Sequence, residues 1–287
     1  MGIITLTTDL GLKDHYVATL KGKIYSACPN AVVIDISHHV NPFNIIQAAY
    51  YVNGAFRDFP EGTVHVIGVK SEPVINIFDD SKNSVPSIMK FENQYFISND
   101  NGFFGLLLKG KQPQGFWNID DVLSNPRYMK DPTKFMLIPA ACNILNQLDF
   151  EHFATPSNRY CNAKLMTPVV SEYSMLGKVV HVDNFGNLIT NISKEEFYQF
   201  GEDVPFVIKL KRSGREQLDQ ISGSYGDVEI GNLVALFNLD DVLEIGINQA
   251  VNGNGGGASK LLGLTVEDEI YINFVPRGSR ETLDSLF

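Results

Sequence analysis

The feature that most constrains this chain is the alternation with which it opens. Three short apolar, β-branched runs, GIITLTTDLG from Gly2, AVVIDIS from Ala31 and TVHVIGV from Thr63, are separated by two stretches with a helical rhythm. In the first of these, KDHYVATLKGKIYSAC, Tyr16, Leu20, Ile24 and Ala27 fall on one face and Pro29-Asn30 ends the run. The second, NIIQAAYYVNGAF, follows Pro42. Strand, helix, strand, helix, strand, with nearly continuous apolar strands, predicts a parallel sheet covered on both faces.

Further along, SIMKF, ENQ and YFISNDNG read as a hairpin turned at Glu92-Asn93, and FMLIPAACNILNQL reads as a helix. Then the texture changes. KVVHVD, LITNI, PFVIKLK, LVALFN, LLGLT and EIYINFV are short runs set between Gly, Asn and Asp clusters, the pattern of a small barrel or sandwich. The stretch from Phe153 to Ser174, with Pro156 and Pro168, carries few helical signals. The expected organisation is an α/β domain over 1–155 with a mostly parallel sheet flanked by helices, a linker over 156–174, and a smaller all-β barrel domain over 175–287.

With 44% hydrophobic and 20% charged residues over 287 positions, the chain has enough apolar matter for substantial cores. A formal net charge of -10 without a clustered basic stretch argues against a nucleic-acid partner and suits a small or cationic ligand. Cys28, Cys142 and Cys161 are odd in number and far apart, and no charged-then-apolar leader opens the sequence. Neither a disulfide framework nor a metal cage is therefore expected, and the expected setting is a reducing cytoplasm. No apolar run reaches the roughly 18 residues of a membrane span, so no membrane partner is expected.

Chemistry-bearing residues sit at the ends of the runs. Asp9, in TTDLG, is suited either to cap the following segment through a backbone N–H or to accept both hydroxyls of a ribose. His38 in DISHH suits a satisfied histidine at a strand end better than a catalyst, and neither it nor His39 has a partner at metal-ligand spacing. SNDNG at 98–102 reads as a turn. In HVDNFGNLITNI, Asp183, Phe185 and Asn187 offer a carboxylate for an amine, a ring face for stacking and an amide for a base edge; they equally suit a polar turn between strands. Phe237-Asn238 suits core plus turn, or another stacking ring. NGNGGGASKLLGL is not a Walker loop, since no Gly-Lys-Ser/Thr follows its glycines, which instead permit close backbone approach. Without a Gly-x-Ser-x-Gly elbow or a metal cluster, an α/β hydrolase or phosphatase is disfavoured.

Taken in order, TDLGLKDHYVATLKGKI, NAVVIDISHHV, FPEGTVHV, NDNG, HVDNFGNLITNI, ALFN with LEIGINQ, and GASKLLGL resemble the adenosine-forming S-adenosyl-L-methionine (SAM) hydrolases. These are also called SAM hydroxide adenosyltransferases and are relatives of the fluorinating and chlorinating enzymes. The resemblance covers nearly the whole chain. It implies an N-terminal α/β domain, a C-terminal β-barrel, a homotrimer, and SAM or adenosine held at a subunit interface, with no further cofactor and no metal. By motif match, Asp9 would hold the ribose hydroxyls, Asp183 the methionine amine, and Phe185 with Asn187 the adenine. Phe237 and backbone near Ala258 would assist, and Asn248 matches loosely.

One segment departs from the pattern. In VHVIGVKSEPVINIFDD, Val64 to Asp80, Lys70 stands where the family hydrolases carry an Asp, and Ser71-Glu72-Pro73 replaces Pro-Gly-Val. The family's Arg has no counterpart between Val74 and Met89, and YMKDPTKF, ahead of FMLIPAA, holds no His. The water-activating triad that the resemblance implies is absent. Hydrolysis to adenosine and methionine is the leading expectation; a binder without turnover and an adenosyltransferase using another nucleophile, such as halide, stay open. Lys70 decides among them as a neutralised base, as a cation that recruits an anion, or as a lysine paired with Glu72, Asp79 or Asp80 away from ligand. An ammonium 4 Å from a sulfonium costs on the order of 4 kcal/mol at an effective dielectric of about 20, unless an anion lies between them.

Overall fold

A computed structural model describes residues 2–76, 78–79, 82–164, 166–210, 216–250 and 256–275. The chain divides into two compact units, the first ending at Lys164.

The first unit runs β1 (Ile3–Thr8), α1 (Tyr16–Ala27), β2 (Val32–Ser37), α2 (Ile45–Ala55), β3 (Val64–Gly68), β4 (Pro86–Phe91), β5 (Gln94–Asn99), α3 (Phe103–Leu108), β6 (Gly115–Ile119), α4 (Pro126–Lys130), α5 (Ile138–Leu145) and β7 (Ala154–Pro156). Its strands lie in the order β2-β1-β3-β5-β4-β6-β7. The β2/β1, β1/β3 and β3/β5 pairings are parallel, and β5/β4, β4/β6 and β6/β7 are antiparallel. The sheet is therefore mixed, half parallel by pairing rather than mostly so. The cause is the hairpin: Glu92 (φ 47°) and Asn93 (φ 59°) are both left-handed, which makes a tight two-residue turn and returns β5 antiparallel along β4, leaving β4 on the outer side of β5.

Alternation along β3 builds both faces. Val64 and Val66 join Leu20 and Ile24 of α1 and Ile138 and Ala141 of α5 in one core; Ile67 joins Val52 of α2 and Phe103 and Leu107 of α3 in the other. Helix α1 buries Val17, Leu20 and Ile24, while Tyr16, the first helical residue, is exposed at the helix end. The helix expected over FMLIPAACNILNQL is α5, entered through one wide turn at Thr133–Leu137, because Pro139 has no N–H for a regular helical bond.

The second unit contains β8 (Val169–Val170), β9 (Ser174–Val182), β10 (Leu188–Ser193), α6 (Lys194–Tyr198), β11 (Phe206–Lys209), β12 (Gln217–Leu218), β13 (Leu233–Phe237), β14 (Val242–Ile247), α7 (Ala258–Leu262) and β15 (Glu269–Phe274). The order is β12-β11-β15-β9-β10-β14-β13, antiparallel throughout, with β8 also on β9. The end strands β12 and β13 approach each other, so the sheet nearly closes into a barrel. Its core is filled from β9, β10, β11, β14 and β15 by Met175, Val179, Leu188, Ile208, Ile245, Ile270 and Ile272, with Phe197 from α6. Short strands extend into the stretch expected as linker: β7 reaches Pro156 and β8 pairs at Val169–Val170, runs too brief to show a period in sequence.

Candidate functional site

The parallel strands β1, β3 and β5 end at Thr8, Gly68 and Asn99, and in an open α/β sheet ligands collect at that C-terminal edge. Asp9 follows β1 directly. Its Oδ2 accepts the Phe43 N–H at 2.8 Å, which holds Phe43 in a left-handed conformation (φ 64°). Burial raises the Asp9 carboxyl above its ordinary value, opposed by backbone N–H bonds from Phe43, Asp9 itself and Lys70, while the charge of Glu72 adds to the rise.

The Lys70 backbone lies close enough to Asp9 to favour its charged form. Its own φ is +48°, a strained conformation for a side chain of that size, and the Asn101 amide stabilises it by donating to the carbonyls of Lys70 (2.8 Å) and Val69 (3.1 Å). The Lys70 side chain is exposed and, among the described residues, forms no ion pair; Asp79 is paired with Lys82 at 3.2 Å, and Asp80 lies outside the described residues. Next to it, buried Ser71 accepts a hydrogen bond from Thr133 Oγ1 at 2.9 Å. Thr133 packs so closely on Gly68 that any side chain there would overlap it. Asp100 takes the Cys161 N–H on both oxygens, at 2.9 and 3.0 Å, and burial pushes its carboxyl up to about 6. His38 is buried at the same edge, bonded to Thr8.

In the second unit the turn between β9 and β10 is organised by Asp183. Its Oδ1 accepts the N–H groups of Phe185 and Asn187, each at 2.8 Å, and its Oδ2 accepts the Asn187 side-chain amide at 2.9 Å. Phe185 is left 55% exposed, its ring presented outward by the turn, whereas Asn187 is buried. Gly257, just before α7, approaches the Phe185 carbonyl so closely that only glycine fits, and Ser259 N donates to the Gly186 carbonyl at 2.8 Å. Ala258, the first residue of α7, is therefore brought against this turn, while the earlier part of the glycine run lies outside the described residues.

Phe237 packs edge-on to Phe197 (5.5 Å between ring centres) and beside Tyr198, so its ring belongs to the aromatic core. Asn248 donates its amide to the Val228 carbonyl at 2.8 Å and ties down a loop. Sequence reasoning missed Tyr225 and Glu244: the phenol bonds the buried carboxylate, which also receives the Asn238 amide at 3.2 Å. Burial and then Glu244 raise the Tyr225 hydroxyl above its ordinary value. The only signal was an acidic residue inside the apolar run VLEIGI. Among the described residues no group of three His, Cys, Asp or Glu is placed to hold a metal ion.

Fold and site together define a class: a chain with an α/β unit bearing a backbone-held carboxylate at its sheet edge, followed by an antiparallel barrel unit bearing a carboxylate–aromatic–amide turn. The particular family follows from comparison. Residues 4–154 match the SAM hydroxide adenosyltransferase N-terminal domain and residues 177–271 the SAM hydroxide adenosyltransferase C-terminal domain. The chain belongs to the SAM hydroxide adenosyltransferase family. It is 30% identical over 284 residues to the (R)-S-adenosyl-L-methionine hydrolase of Methanocaldococcus jannaschii, covering 95% of this chain and 96% of the relative. It is 40% identical over 278 residues to a fluorinase of Actinoplanes, covering 86% and 91%. The crystal structure of an uncharacterized conserved protein from Thermotoga maritima superposes with a TM-score of 0.77 at 29% identity, covering 94% of this chain and 99% of that one.

Proposed function

We propose that the protein binds S-adenosyl-L-methionine and displaces methionine from C5′ of the adenosyl group with water, giving adenosine, methionine and a proton. The observation that carries this reading is the Asp9 carboxylate, half-buried at the end of β1 and oriented by the Phe43 N–H. Asp9 takes the ribose hydroxyls. The exposed Phe185 ring stacks on adenine, Asn187, whose side-chain N–H already serves Asp183, offers its oxygen to the adenine amino group, and Asp183 attracts the methionine amine. Backbone near Ala258 completes that wall, and Phe237 and Asn248 are assigned to the site on the family pattern. The two sets of residues meet at a subunit interface of a homotrimer.

In-line displacement draws much of its rate from holding the nucleophile opposite the sulfur, so turnover does not require the family's Asp and His. The segments where those residues are expected are joined here by the Ser71–Thr133 hydroxyl pair, which suits holding a water better than deprotonating it. A second reading is favoured by one observation, the Lys70 ammonium that forms no ion pair among the described residues: an anion drawn to it would screen the sulfonium and serve as the nucleophile.

The test is incubation with SAM in heavy-oxygen water, with and without added halide, read by mass spectrometry. Adenosine carrying the heavy oxygen supports hydrolysis. A 5′-halo-5′-deoxyadenosine formed only with halide supports the second reading. Intact SAM recovered from a protein that binds it overturns both and leaves a binder.

A further inference from the structure

Beneath the Asp9 loop runs a polar chain, buried at Thr8 and His38 and reaching the surface at Asp35, that the proposed chemistry does not use. Thr8, the last residue of β1, is fully buried, and its Oγ1 lies 2.8 Å from His38 Nδ1. On its other side His38 Nε2 is 3.0 Å from Asp35 Oδ1, and Asp35 Oδ2 receives Lys21 Nζ of α1 at 2.6 Å. The Nε2 approach is close but bent, an electrostatic contact more than an aligned hydrogen bond. Burial raises the Asp35 carboxyl, and the Lys21 hydrogen bond together with the nearby Lys21 and His38 groups more than offsets it, leaving it below its ordinary value.

This arrangement assigns the protons. A lone pair on Nε2 would face a carboxylate, so the ring hydrogen belongs on Nε2 and Nδ1 is the acceptor. Thr8 must then donate to Nδ1, which leaves its oxygen lone pairs for the Leu10 N–H, 3.4 Å away. The backbone ties the same segments together: Gly11 N donates to the His38 carbonyl at 2.7 Å, and Val40 N to the Thr8 carbonyl at 3.3 Å. Among the described residues, the turn on both sides of Asp9 is thus tied to His38 and its neighbours at Thr8, Gly11 and Val40, while Phe43 holds the carboxylate itself.

We propose that the Thr8–His38–Asp35 chain is a positioning device that sets the Asp9 carboxylate for a vicinal diol, an inference that rests on the reading of Asp9 as the ribose acceptor. Asp9 has one oxygen committed to Phe43, so a small rotation of the turn decides whether its free acceptor positions reach both hydroxyls of a ribose or one. The chain holds that rotation through Thr8, the residue before Asp9.

The test compares adenosine with 2′-deoxyadenosine by calorimetry, using the whole protein. The wild type prefers adenosine. Thr8→Val, which keeps the shape and removes the hydroxyl, weakens adenosine binding about tenfold and deoxyadenosine binding less than about twofold, so the preference collapses. Thr8→Ser restores it. A general loosening of the fold would weaken both nucleosides alike. Equal losses, or a Thr8→Val protein that keeps the wild-type preference, overturn the positioning chain while leaving Asp9 as the acceptor. A wild type that binds both nucleosides equally overturns the Asp9 reading and the chain with it. Should Thr8→Val fail to fold, Asp35→Asn, at a part-exposed position, carries the same test. Without the carboxylate the proton is no longer held on Nε2, and the preference falls several-fold; an unchanged preference there overturns the proposal.

Discussion

Replacing Asp100 by Asn should stabilise the protein, and only above mildly acidic pH. Asp100 spends both oxygens on a single N–H, that of Cys161, and burial raises its carboxyl from 3.8 to about 6. An acid raised in this way binds its proton more tightly in the folded chain than in the unfolded one. Its contribution is therefore fully present below about pH 4 and is lost as pH rises through about 6. The rise of about 2 pH units corresponds to roughly 3 kcal/mol at 1.36 kcal/mol per unit, and partial contact with solvent reduces the expected effect to about 1–2 kcal/mol. An amide of the same shape keeps an oxygen for Cys161 and removes the buried charge. Thermal melts of wild type and Asp100→Asn should differ by about 2–5 °C at pH 7.5 in favour of the variant, and the difference should vanish near pH 4. A variant less stable at pH 7.5, or a gain that does not change with pH, would refute the reasoning, because neither follows from relief of a desolvated carboxylate.

Other consequences are as direct. Asp9→Ala removes a charged acceptor for two hydroxyls and should weaken adenosine binding by about 2–3 kcal/mol in a titration calorimeter; unchanged affinity would remove Asp9 from the site. Phe185→Ala should cost about 1–2 kcal/mol of nucleoside affinity with little change in melting temperature, since the ring is 55% exposed; a large loss of stability would show that the ring packs instead. Lys70→Met should improve SAM binding and abolish any halide-dependent product; a halide-dependent rate that survives the change would rule out anion recruitment by this side chain. Light scattering should give a trimer at micromolar concentration, and a stable monomer there would also undermine the interface site.

The Lys70 position shows how far sequence reasoning reaches. The departure from the family pattern at this residue is visible from the string alone, but the string puts the weight on its amine. In the structure its backbone lies beside Asp9, in a left-handed conformation supported by the amide of Asn101. The expectation that Asp183 waits for an amine meets a similar complication: three donors of its own turn already occupy it, a pattern that an Asp followed by Gly three residues on does not by itself distinguish from a binding site.

The sequence by itself determined the elements whose cause is local. Apolar period and turn residues specify β1, α1, β2, α2 and β3 in order, the Glu92-Asn93 hairpin, and the change to short antiparallel strands in the second unit. Ordered motifs also point to the family that the domain matches show. Tertiary structure alone decided the partners across long separations. Within the first unit Ser71 meets Thr133, Asp100 meets Cys161 and Thr8 meets His38, and within the second Tyr225 meets Glu244, because strand order and helix packing bring distant segments of each unit together. A hydrogen bond needs distance and direction together, and residue type supplies neither until the sheet has fixed which strand ends are neighbours.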